Sequence, residues 1–129
     1  MKRHVFPLLQ ELLGLFPCVA LLGVRQCGKT TLLQELLPDW RLFDLEKLAD
    51  HDAIARDPDL FLRLNAERVA IDESQLLPAL FPALRVAIDS RREAAGRFVI
   101  TGSSSPELLS AIAESLAGRI AIIEMAPFS

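Results

Sequence analysis

Residues Gly23 to Thr31 read GVRQCGKTT, and no other stretch constrains the fold as strongly. Two glycines stand five apart, and a lysine and a threonine follow the second at once. An unbroken apolar run, Val19-Ala20-Leu21-Leu22, leads in, and the helix-like LLQELL leads out. Gly23, Gly28, Lys29 and Thr30 satisfy G-x-x-x-x-G-K-[ST], a phosphate loop in its expected strand-to-helix setting. Glycines at those two points reach backbone angles that side chains resist, and they let amides approach phosphate oxygens. Successive amides then form an anion nest, to which a helix start adds its positive end. The expected nucleotide-binding segment is Gly23, Val24, Arg25, Gln26, Cys27, Gly28, Lys29, Thr30 and Thr31. Within it Lys29 reaches the outer phosphates, and the Thr30 hydroxyl is placed to ligate Mg²⁺. Average residue frequencies give a chance match on the order of one in a few hundred for a chain of this size.

The rest of the chain alternates in the same way. Further apolar runs occur at Leu42–Leu45, Val69–Ile71, Phe98–Ile100 and Ile120–Ile123. Continuous apolar runs without in/out alternation fit parallel strands covered on both faces. Helical patterns are expected at Thr30–Leu37, Asp57–Leu64, Pro82–Arg92 and Pro106–Ala117, and a short amphipathic helix over Leu8 to Phe16. Asp57-Pro58 and Ser104/Ser105-Pro106 look like helix starts. Ser104 with Glu107 matches a capping box. The alternation predicts a doubly wound α/β sheet of about five parallel strands flanked by helices.

A phosphate seat needs a carboxylate for its metal, and RVAIDESQ supplies two at a strand end. Asp72 is the expected Mg²⁺ partner, through the ion's water shell. Glu73 is the expected group to orient or deprotonate an attacking water. FVITGSSS ends the next strand. There Ser103 is the first candidate to touch the γ-phosphate or the water, with Thr101 and Ser104 as competitors. Arg119, in SLAGR, is placed to reach a neighbour's γ-phosphate, which points to a homo-oligomer. Such fingers are worth roughly 10³–10⁵ in rate. The plainer reading of Arg119 is a surface arginine behind a C-capping Gly118.

Composition removes other classes. The 129 residues are 51% hydrophobic and 24% charged, enough apolar material for one core and one domain. A net charge of −3 and a pI of about 5.4 argue against a broad nucleic-acid surface. Arg91, Arg92 and Arg97 form a small basic patch that could touch nucleic acid, though a solvated helix end is the simpler reading. Cys18 and Cys27 show no zinc or disulfide spacing, so a reducing cytoplasm is the simplest compartment. Cys27 lies near Lys29 and a helix start, which favour a thiolate, but a tolerated loop residue is the simpler reading. His4 and His51 are isolated. The apolar N-terminus carries Gln10 and Glu11 inside and is broken by Pro7 and Pro17, so neither a signal peptide nor a membrane anchor is expected.

In order along the chain stand GVRQCGKTTL, FDLE, IDESQ, ITGSSS, LAGR and APFS. This series resembles the AAA-type P-loop ATPases of bacteria and archaea that open with a GxRQxGKTTL loop. The resemblance covers nearly the whole chain. It implies a three-layer AAA-type core whose central strands carry the loop, the Asp-Glu pair and the sensor. It implies ATP with Mg²⁺ as ligand, and it puts Arg119 where an AAA-type arginine finger falls. Val24 stands where proline is frequent and Cys27 where valine or serine is; neither change removes a phosphate contact. Members usually carry a second, C-terminal domain. Residues 1–129 resemble the ATPase core only, as in a truncated or split module.

ATP binding with Mg²⁺-dependent hydrolysis is therefore the expected function. A small-molecule kinase uses the same loop, but Glu73 directly after Asp72 and the lack of a lid segment favour hydrolysis. An interaction-only fragment without turnover is the third reading.

Overall fold

In the computed structural model, residues 2–23, 33–35 and 37–125 are described. Five strands form one parallel sheet: β1 (Cys18–Gly23), β2 (Arg41–Asp44), β3 (Val69–Asp72), β4 (Phe98–Gly102) and β5 (Ile120–Met125). Their spatial order is β2-β3-β4-β1-β5. The strands bearing the loop, the Asp-Glu pair and the sensor candidates are thus the three central ones, as expected. Every residue of β1, β3 and β4 is buried, because both faces of the sheet are covered.

Strand alternation divides the core in two. Cys18, Ala20 and Leu22 of β1, with Val69, Ile71, Phe98 and Ile100, face one apolar cluster. It is closed by α2 (Leu48–Ala55), α3 (Pro58–Leu64), α4 (Leu80–Asp89) and α5 (Pro106–Leu116). Val19, Leu21, Ala70 and Val99 face the other, closed by α1 (Lys2–Leu13) and by Leu33 and Leu37. In α1 the buried stripe is Val5, Leu9 and Leu13, four residues apart. This helix begins earlier than the expected Leu8–Phe16 and holds Pro7 within it. Of the expected helix Thr30–Leu37, residues 33–35 and 37 are described: 33–35 are helical, and Leu37 lies outside the helix. Among the described residues no helix is long and apolar enough to cross a membrane.

Several boundaries are corrected. α2 was not expected: its sequence, LADHDAIA, has no apolar stripe, Ile54 is its one buried residue, and Lys47 caps it without a side-chain bond. Tertiary packing of Ile54 holds a helix that periodicity does not announce. α4 starts two residues before and ends three residues before the expected Pro82–Arg92, with Pro82 in its first turn, where a missing N–H is no loss. The α5 cap is Ser105 rather than Ser104: Ser105 Oγ accepts from the Leu108 N–H at 3.2 Å. Asp57 caps α3 as expected, accepting from Leu60 N–H at 3.1 Å. Gly118 follows α5 with φ +79°, the left-handed C-terminal turn that glycine adopts without strain.

The basic patch is also corrected. Arg97 is 3% exposed. Its guanidinium donates to Ala66 O and Ala87 O and lies 4.9 Å from the Phe98 ring centroid. Burial, followed by the nearby Arg91 charge, lowers its pKa. Arg91 and Arg92 lie against Glu67 and Asp89. This is a paired helix end rather than a free cationic surface.

Candidate functional site

Among the described residues, the candidates Gly23, Asp72, Glu73, Thr101 and Ser103 collect at the C-terminal edge of the central strands, where open α/β sheets bind ligands. Gly23 ends β1 and is buried there. It pairs with Met125 of β5, and Leu22 before it pairs with Gly102 of β4. The loop residues Val24, Arg25, Gln26, Cys27, Gly28, Lys29, Thr30 and Thr31 lie outside the described residues. Their flanks do not: β1 runs into the loop, and Leu33 to Glu35 are helical after it.

Two strands away, β3 delivers its carboxylates to the same edge. Asp72 is 1% exposed and Glu73 8%. Asp72 follows the alternation of Ala70, so it stands on the sheet face that Leu33 and Leu37 cover. Glu73 departs from the strand. Its backbone is left-handed, φ 59° and ψ 51°, which for a residue with a side chain costs about 1–2 kcal/mol. Such strain is commonly kept where function uses it. A short 3₁₀ turn, Ser74–Leu76, follows directly.

Thr101 of β4 joins these pieces. The β3–β4 backbone pairing ends at Ile71–Ile100, where the left-handed turn takes β3 away. Side chains then replace the ladder. The Thr101 hydroxyl donates to Asp72 Oδ1 and accepts from the Glu73 N–H at 3.0 Å. Ser74 Oγ donates to Thr101 O at 2.8 Å. Thr101 and Ser74 are both fully buried. The Gln75 amide Nε2 donates to Glu73 Oε1 at 2.9 Å. Of the three sensor candidates, Thr101 therefore touches the carboxylate pair. Ser103, the first choice, is half-buried just beyond β4, and Ser104 is exposed. The register carried the signal for Thr101: one step past Ile71–Ile100 places it opposite Asp72.

Arg119 is not brought to this edge. It precedes β5, whose first residue pairs with Cys18 at the opposite end of β1 from Gly23. Those ends are five residue steps apart, a run of roughly 16–17 Å. There Arg119 Nε donates to Asp89 Oδ1 at 2.7 Å, Nη2 to Asp89 Oδ2 at 2.9 Å, and Nη1 to Ala117 O at 3.2 Å. The fork-to-fork bond with Arg119 holds the Asp89 carboxyl below its ordinary range and raises the guanidinium in turn. Nothing in the sequence pairs these residues, which lie 30 positions apart. Cys18 is enclosed in the core, where burial pushes its thiol up and away from reactivity.

Similar proteins agree with this architecture. Two uncharacterized proteins, of Mycobacterium bovis and Mycobacterium tuberculosis, are each 41% identical to the chain over 127 residues. The match covers 96% of this chain, which spans 28% of the length of each relative. A solved Walker-type ATPase of Pyrococcus abyssi superimposes with a TM-score of 0.64 at 17% identity, over 98% of this chain and 53% of that one. A chain in the complex of Drosophila ORC with poly(dA/dT) DNA gives a TM-score of 0.51 at 10% identity, over 97% and 28%. Both show the same fold. Residues 16–129 match the family model described as an AAA domain, and with its five-stranded parallel sheet the chain belongs to that family of nucleotide-binding P-loop modules.

Proposed function

We propose that this module binds ATP with Mg²⁺ and hydrolyses it. One observation carries the reading: Asp72 and Glu73 are buried together at the carboxyl edge of the sheet and tied by the Thr101 hydroxyl. An acidic pair on a solvated loop would not be held this way. Burying carboxylates is costly unless they are bonded or coordinate a metal.

Each residue then has a role. Gly23, Gly28 and the amides between them seat the phosphates, and Lys29 neutralises the outer ones. Mg²⁺ typically takes one or two carboxylates and fills its shell with phosphate oxygens and water. Asp72 and the Thr30 hydroxyl suit that donor set. When bound, the ion stabilises charge on the transferring phosphoryl group. Thr101 fixes the Asp72 carboxylate through Oδ1 and, through the Glu73 N–H, the backbone that aims Glu73. Glu73 orients the attacking water and accepts its proton. Ser103, just beyond the end of β4, contacts the terminal phosphate or the attacking water. Arg119, at the far edge of the sheet, serves a neighbouring copy's nucleotide and not its own. Its exchange of Asp89 for that phosphate accompanies assembly.

Titration with a labelled ATP analogue and Mg²⁺, followed by phosphate release, tests the reading. Lys29→Ala is expected to abolish binding. Glu73→Gln is expected to keep binding and slow hydrolysis by roughly 10²–10⁴. Turnover by Glu73→Gln at the wild-type rate would show that Glu73 is not the base.

A further inference from the structure

Gln75 makes a contact that the proposed roles leave unused. Its Nε2 donates to Glu73 Oε1 at 2.9 Å. A carboxylate only accepts, so the amide nitrogen must face it, and the amide oxygen is turned the other way. That oxygen is buried and has no hydrogen-bond partner among the described residues. An unpaired buried carbonyl is a destabilising feature that proteins seldom keep without a return. Room for it comes from Gly102, where an added Cβ would lie 2.7 Å from Gln75 Oε1.

The backbone is arranged to the same end. The left-handed turn at Glu73 reverses the chain, Leu76 N donates to Glu73 O, and Ser74 is pinned to Thr101 O. Gln75, two residues on, is thereby folded back onto the carboxylate it follows. The last torsion of a glutamate side chain is broad and sets no carboxylate plane by itself. A donor fixed on one oxygen supplies that orientation.

We propose that Gln75 is a positioning residue for Glu73: its amide fixes the plane of the carboxylate that aims the attacking water. The inference rests on the reading of Glu73 as the water-orienting group. It does not extend to nucleotide affinity, since Gln75 acts on the chemical step through Glu73.

The test is a double-mutant cycle in the full chain. Gln75→Met keeps length and shape and removes the donor. Gln75→Glu keeps the shape and sets a carboxylate against a carboxylate. Each is made alone and together with Glu73→Gln, and kcat, KM for ATP, analogue affinity and urea midpoint are measured. Misorientation of a reacting group costs up to about 10²-fold. Gln75→Met is therefore expected to lower kcat roughly 10-fold or more with KM and affinity within about twofold of wild type. In the Glu73→Gln background the same substitution is expected to change kcat little, because its route of action is already gone. An unchanged kcat in Gln75→Met, or an equal loss in both backgrounds, overturns the proposal. If Gln75→Met fails to fold, the same two criteria apply to Gln75→Glu. Wild-type turnover by Glu73→Gln alone would instead remove the reading on which the proposal rests.

Discussion

Replacing Thr101 with valine isolates the hydroxyl that links the two central strands. The shapes match, so the change is almost wholly polar. Thr101 is 0% exposed and makes two side-chain bonds, to Asp72 Oδ1 and from the Glu73 N–H. A hydrogen bond to a charged group contributes roughly 1.5–3 kcal/mol, and a buried N–H left unpaired costs about 1–3. The methyl that replaces the hydroxyl recovers at most about 0.8 kcal/mol. A net loss of about 2–5 kcal/mol follows, which for a domain of this size is a fall in Tm of about 8–20 °C. Thr101→Ser supplies the control. It keeps both bonds and loses one buried methyl, for about 0.5–1.5 kcal/mol. Urea unfolding without nucleotide, followed by circular dichroism, reads both variants, with an unchanged slope confirming a common unfolded state. The expected order is wild type, then Thr101→Ser, then Thr101→Val. If the valine variant equals or exceeds the serine variant, the hydroxyl does not tie β3 to β4 and the description of the site is wrong.

Gly102→Ala places a Cβ 2.4 Å from Leu108 Cδ2 and 2.7 Å from Gln75 Oε1. It is expected to cost about 1–3 kcal/mol by overpacking; a urea midpoint equal to wild type would contradict this. Asp89→Asn breaks the fork with Arg119. Because Arg119 lowers the folded pKa of Asp89, this carboxylate adds stability above its unfolded pKa of about 3.9, and the addition fades as pH falls through the lower folded value. Wild type should therefore unfold at higher urea than Asp89→Asn at neutral pH, with the gap closing in acid and narrowing in high salt. A gap that stays constant or widens on acidification refutes the pairing.

The periodic elements were legible for a plain reason. A strand covered on both faces is buried throughout, and β1, β3 and β4 are, with only Asp72 and Thr101 at the carboxyl edge interrupting their apolar character. Helix starts at Asp57-Pro58 and Ser105-Pro106 follow from local hydrogen bonding. α2 was not legible, because one buried side chain, Ile54, leaves no period to read. The cap at Ser105 instead of Ser104 turned on a single residue of loop path. Arg97 reads as a surface cation, yet it is buried where two carbonyls and an aromatic face happen to converge.

The site divides along the same line. The loop and the carboxylate pair are each a continuous stretch of chain, so their spacing alone nominates them. Thr101, Gln75 and Asp89 owe their roles to register, to a left-handed turn and to packing between elements far apart in sequence. A one-dimensional pattern records what each residue offers chemically and how neighbours along the chain repeat. The pairing of a hydroxyl on one strand with a carboxylate on the next is fixed only when the sheet aligns them, since burial, strand register and side-chain direction exist only in the folded molecule.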